Sequence, residues 1–167
     1  GTLVDSQDSI VQGMAAAFAE AGRPLPPRDR ILQIVGLSLG HAIQTLVPDG
    51  APDEIARMVE AYKAAYAAAR AGGVEGAPLY PGARAVLDEL SGLPDVLLGI
   101  ATGKSRRGLD ILLENHALTG RFHAIQTSDL HPSKPHPAML QAALSDAGVA
   151  ARDAVMLGDT TYDMDMA

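Results

Sequence analysis

The sequence has no cysteine. That one absence excludes disulfide scaffolds, thiolate zinc sites and cysteine nucleophiles. No stretch approaches the roughly eighteen consecutive apolar residues that a membrane-spanning helix needs. Basic residues are few: 13 Lys and Arg stand against 20 Asp and Glu, a formal charge of −7. Neither half is basic, so the chain carries no nucleic-acid-binding arm. Internal repeats, low-complexity tracts and heptad arrays are missing. The five histidines, His41, His116, His123, His131 and His136, fall in no metal-ligand pattern. An initial methionine is also lacking, since the chain starts Gly1-Thr2-Leu3; we expect a piece trimmed from a longer protein. What is present suits a soluble core. The 167 residues are 47% hydrophobic and 20% charged, enough for one medium domain or a small domain with an insertion.

The two halves have different periods. From residue 6 to about 72 the pattern is helical. Val11, Met14, Phe18 and Ala21 share a face, and Arg23-Pro24-Leu25-Pro26-Pro27 stops that helix. Ile31, Ile34 and Val35 begin a second stripe, which breaks at Gly36-Leu37-Ser38 and resumes at Leu39, Ile43 and Leu46. After a Pro48-Asp49-Gly50 turn, a long helix runs through Ile55, Met58, Val59, Tyr62, Tyr66 and Ala69 to a stop at Gly72-Gly73. No titratable cluster appears in this half, which by itself reads as a small bundle. From Tyr80 onward helix and strand alternate, with helices around Leu87, Leu112 and Ala143. Strands are expected at Val96–Ala101, covered on both faces, at Phe122–Thr127 and at Ala154–Leu157. This alternation predicts an α/β fold with a parallel sheet. The junction between the halves falls at Pro78–Gly82.

In such a sheet, ligands bind beyond the carboxyl ends of the strands. Thr102-Gly103-Lys104-Ser105 follows the first strand, and a hydroxyl and glycine opening a helix fit either a phosphate contact or a simple helix cap. Ser133-Lys134-Pro135-His136-Pro137 follows the second, where two prolines stiffen the backbone around Lys134; a projecting catalytic ammonium and a solvated surface lysine both satisfy that pattern. Gly158-Asp159-Thr160-Thr161-Tyr162-Asp163 follows the third. Asp159 and Asp163 fit hard-cation binding, Mg²⁺ rather than zinc, or else helix capping. The three converge on one edge and together read as a phosphoryl-transfer site. Gly99–Ser105 approaches the P-loop pattern, but it is one residue short and Leu98 stands where glycine is required. Lys104 is then expected to be a solvated residue at the start of a helix. His136 is expected to cap or face solvent, His41 to line the cap side at most, and Arg106 and Arg107 to decorate an exposed helix face.

These motifs, in this order, resemble the haloacid dehalogenase-like (HAD) hydrolase superfamily, and within it the phosphoglycolate phosphatase-like group with a helical cap. Gly1-Thr2-Leu3-Val4-Asp5-Ser6 resembles the end of the family's first motif, Asp-x-Asp-Gly-Thr. Thr102 matches the second motif, Lys134 the third, and Gly158-Asp159 with Asp163 the fourth. The resemblance implies a Rossmannoid parallel sheet divided as residues 1–7 (first-motif remnant and hinge), 8–78 (inserted helical cap) and 79–167 (core). It implies a Mg²⁺-dependent, cytoplasmic phosphatase acting on a small phosphorylated metabolite, with no nucleic-acid or membrane partner. The first Asp of the first motif would attack phosphorus to form an aspartyl-phosphate, and the second would act as acid and base. Both positions precede Gly1, so the chain is expected to be cut at both ends and, as written, to lack catalysis; Asp5 is expected to begin the cap hinge. The resemblance further implies that Thr102 and Gly103 hold phosphoryl oxygens and that Lys134 balances their charge. Asp159 would bind Mg²⁺, with Asp163 supporting it through water or by pairing with Lys134. Gly36, Leu37 and Ser38 would form a cap loop over the substrate. Two alternatives stay open: a sugar-phosphate mutase of the same superfamily and a non-catalytic phosphate- or protein-binding module. The loop Gly36–His41 has no arginine or lysine, which favours hydrolysis over the mutase.

Overall fold

The computed structural model describes residues 1–71 and 77–167. The expected helix stop at Gly72-Gly73 lies outside them. The helical half forms α1 (Gln7–Glu20), α2 (Arg28–Leu32), α3 (Leu39–Leu46) and α4 (Pro52–Ala71). Their apolar faces meet in one cluster built on Met14, Phe18, Ile31, Ile43, Val47 and Met58. On α1, Gly13 lies against the Tyr62 ring of α4, where a Cβ would stand 2.5 Å from the ring edge. A side chain there would separate the two longest helices. Arg23 ties the base of this bundle together, donating from Nε to Glu54 at 2.6 Å and from Nη1 to Asp49 at 3.1 Å.

The chain enters and leaves this helical unit through one narrow crossing. Val4 and Leu79 form an antiparallel bridge. On either side of it, the Asp5 amide donates to the Pro78 carbonyl at 2.8 Å and the Tyr80 amide donates to Leu3 at 2.9 Å. The Asp5 side chain turns back to its own backbone, accepting from the Gln7 amide at 3.3 Å.

Beyond the crossing come α5 (Ala83–Ser91), β1 (Gly99–Thr102), α6 (Arg106–Asn115), β2 (Ala124–Thr127), α7 (Ala138–Ala147) and α8 (Thr161–Met166). β1 and β2 pair in parallel, with Gly99 opposite Ala124 and Thr102 opposite Thr127. Helix α6 makes the crossover that parallel strands require. Leu87, Leu109, Leu113 and Leu118 form the second apolar cluster, with Ile100, Phe122 and Ile125 packed on it.

All three strand expectations change here, and the second strand begins at Ala124 rather than Phe122. The first strand begins at Gly99 rather than Val96, and it is not covered on both faces: Val96 and Leu97 are exposed. The third strand does not form. Residues 154–157 carry no strand pairing, and Val155 and Leu157 are 87% and 68% exposed. The physical reason is common to the first and third. A β-strand is defined by ladder hydrogen bonds to a neighbour, and among the described residues no strand lies beside this segment. Its apolar composition and extended backbone at Ala154 (φ −122°, ψ 151°) are those of a strand without a partner.

Candidate active site

The loops following β1, β2 and the extended segment at 154–157 meet at the carboxyl edge of the sheet. The register sets Thr102 and Thr127 side by side as the last residues of the two strands. Just beyond them, the Ser128 amide donates to the Lys104 carbonyl at 3.3 Å, tying the first loop to the second. Ser105, not Thr102, caps α6: its Oγ accepts from the Gly108 amide. Thr102 Oγ1 instead accepts from the Lys104 amide at 3.2 Å within its own loop. The hydroxyl therefore remains at the strand end, half-buried, ahead of the helix.

Lys134 is the most enclosed cation of the core, 5% exposed. Its Nζ donates to Asp163 Oδ1 at 2.5 Å, joining the second loop to the third. The other oxygen of Asp163 accepts from the Thr160 amide (3.1 Å) and hydroxyl (2.7 Å), a capping box at the start of α8. Burial alone would raise the Asp163 pKa, but hydrogen bonds from Lys134 and Thr160 outweigh it and hold the carboxyl below its ordinary range. Gly158 makes this arrangement possible, since a Cβ there would stand 2.2 Å from Asp163 Cβ.

Asp159 differs from Asp163. Its carboxylate is 41% exposed and, among the described residues, meets the amino end of the chain: Thr2 Oγ1 donates to Oδ1 at 3.0 Å, and the Gly1 nitrogen lies 3.4 Å from Oδ2. This is where the resemblance sets the first motif. Of the two aspartates, Asp159 is the exposed one, whereas the Asp163 side chain is only 4% exposed and both its oxygens accept hydrogen bonds within the core. Among the described residues no three His, Cys, Asp or Glu side chains stand together as a metal-binding group. A hard, half-exposed carboxylate fits Mg²⁺, which commonly takes one or two protein carboxylates and fills its remaining positions with water and substrate phosphate.

The segment between α2 and α3 lies across these loops. Gly36 (φ +107°) and Leu37 press their carbonyls against Gly103, where a Cβ would stand 2.5 and 2.6 Å from them. The Ser38 amide donates to Ser133 Oγ at 2.9 Å. Leu37 sends its side chain into the apolar cluster of the helical half, so the loop offers the site its main chain rather than that side chain. Lys104 is not simply solvated. It is half-buried, with Nζ 5.0 Å from the Tyr66 ring centre, and Tyr66 stacks in turn on Tyr62. His136 does cap: its Nδ1 accepts from the Ala138 amide at 3.2 Å. His41 is exposed, as are Arg106, which pairs with Asp110, and Arg107.

The family profile of haloacid dehalogenase-like hydrolases matches residues 1–167. The chain belongs to that family. A relative named "Probable phosphatase IndB", from Dickeya dadantii, is 33% identical over all of this chain and 73% of its own length. A phosphoglycolate phosphatase from Pseudomonas savastanoi pv. phaseolicola is 30% identical, again over the whole chain but over 62% of that enzyme. Among solved structures, a haloacid dehalogenase-like hydrolase from Streptococcus pneumoniae superposes with a TM-score of 0.79 at 28% identity, covering 99% of this chain and 75% of that one. Both curated relatives carry the name phosphatase, and phosphoglycolate phosphatase is a name that recurs among such relatives.

Within this haloacid dehalogenase-like site, three residues went unnoticed in the sequence. Thr160 stands three positions before Asp163, and that capping-box spacing is a readable signal. Ser133 and Tyr162 had none, because their partners lie 95 and 129 residues away along the chain.

Proposed function

We propose that the protein is a Mg²⁺-dependent phosphatase of small phosphate monoesters, working through an aspartyl-phosphate. The observation that carries this reading is the joining of the three motif loops: Ser128 to Lys104, and Lys134 to Asp163, at one sheet edge beneath the cap loop. The Thr102 hydroxyl and the Gly103 amide are suited to hold phosphoryl oxygens as charge develops on them. Lys134 supplies a fixed cation, and Asp163 holds it aimed. Asp159 is the residue to hold Mg²⁺, which when bound would offset phosphate charge. The attacking carboxylate belongs to the first motif, ahead of Gly1, and the Gly1 and Thr2 contacts with Asp159 support its lying beside this site. The helical unit of residues 8–78 serves as the cap over that centre.

The test is a panel of metabolite phosphate esters offered to the full-length protein, with phosphate release followed in Mg²⁺ and in EDTA. The expected result is release from at least one small monoester, abolished by EDTA. Asp159→Asn should lower turnover by about 10²-fold or more, the scale of lost transition-state electrostatics. Silence across the panel, with the upstream Asp-x-Asp intact, would overturn the enzyme reading.

A further inference from the structure

The segment between α2 and α3 meets the core at three separate loops. Its Gln33 carbonyl accepts from the Tyr162 hydroxyl at 3.2 Å. Its Gly36 and Leu37 carbonyls press on Gly103, and its Ser38 amide donates to Ser133 Oγ at 2.9 Å. Each core partner belongs to the site or adjoins it in sequence: Gly103 is itself a proposed phosphate-site residue beside Thr102, Ser133 precedes Lys134, and Tyr162 precedes Asp163. All three contacts are made to the main chain of the segment. Its own apolar side chains, Ile34 and Leu37, are buried in the cap cluster, on which Tyr162 also packs from the core side. The segment is thus fixed to the cap by side chains and to the core by backbone. Gly36 allows the close approach, since a Cβ on it would meet Thr160 Oγ1 at 3.1 Å from a left-handed backbone.

We infer that Ser133 and Tyr162 are positioning residues that seat residues 33–38 on the core, setting where the cap backbone stands over Thr102 and Gly103. The inference rests on the phosphatase reading for its catalytic consequence, but not for the seating itself. Neither hydroxyl needs to touch substrate. They act on the same short segment from different loops, so their effects are coupled: once one contact is lost and the segment lifts, the other has less left to lose.

The experiment uses the full-length protein with Ser133→Ala, Tyr162→Phe and the double variant, read in two ways. Hydrogen exchange is followed at the amides of residues 37 and 38. Tyr162→Phe should speed exchange there by about 2- to 10-fold, the scale of one neutral hydrogen bond, although the hydroxyl removed bonds Gln33 and not those amides. Steady-state phosphate release should show kcat/KM lowered by a similar factor in each single variant. The double variant should fall short of the product of the two, and the melting temperature should hold in all three. Unchanged exchange at residues 37 and 38 in Tyr162→Phe overturns the proposal, and so do single effects that multiply fully in the double. Faster exchange in a protein that releases no phosphate from any ester would sustain the seating and instead defeat the phosphatase reading.

Discussion

Lys134 and Asp163 illustrate how one pair can be both structural and chemical. Each is enclosed almost completely, and each would be costly to bury alone. Asp163→Asn should therefore destabilise the protein near neutral pH by about 3–5 kcal/mol, because Lys134 would remain buried without its counter-charge. Urea unfolding reads this directly. The pH dependence has a definite sign. The folded-state pKa of Asp163 lies below its unfolded value, so its contribution is complete above the ordinary carboxylate range and fades as pH falls through the lower folded value. The urea midpoint of the wild type should decline below about pH 4 for this reason. That portion of the decline should be missing in Asp163→Asn. The positions of Thr102 and Lys134 at the sheet edge could be anticipated from their places after apolar strands. The resemblance left two options for Asp163, support through water or pairing with Lys134, and only the folded chain shows the lysine reaching it across 29 residues.

At the scale of elements, the helical half was legible almost throughout. Apolar spacing located α1, α3 and α4, and the Pro-rich stop and the Pro48-Asp49-Gly50 turn fell where local backbone chemistry requires them. Strands were harder. Phe122–Thr127 shortened to Ala124–Thr127, and Ala154–Leu157 remained unpaired. A helix satisfies its backbone within itself, whereas a strand depends on a neighbour that local sequence does not specify. Tight helix packing was equally hidden, since only the assembled bundle shows that Gly13 meets the face of Tyr62. Gly13→Ala should force α1 and α4 apart and cost about 1–3 kcal/mol despite the better helix propensity of alanine. Thermal or urea denaturation would register the loss; a gain in stability would mean that the two helices do not pack as closely as described.

For the whole molecule, the decisive feature is that a helical unit entered through a single crossing at residues 3–5 and 78–80 bends back over the carboxyl edge of the sheet. The order of motifs suggested both parts and their family. What it could not supply was the contact between them: the Gly36 and Leu37 carbonyls on Gly103, the Ser38 amide on Ser133, and Lys104 over Tyr66. That last contact separates two lysines that local sequence presents as rivals. Lys134 is buried at the sheet edge, while Lys104 joins the core to the helical unit through an aromatic face, an interaction of about 0.5–2 kcal/mol. The decisive measurement is therefore the turnover of full-length Lys134→Ala and Lys104→Ala on the same phosphate monoester in Mg²⁺. Lys134→Ala should lose about 10²-fold or more, and Lys104→Ala should change at most severalfold. A larger loss in Lys104→Ala than in Lys134→Ala would mean that Lys134 is not the cation of a phosphoryl-transfer site.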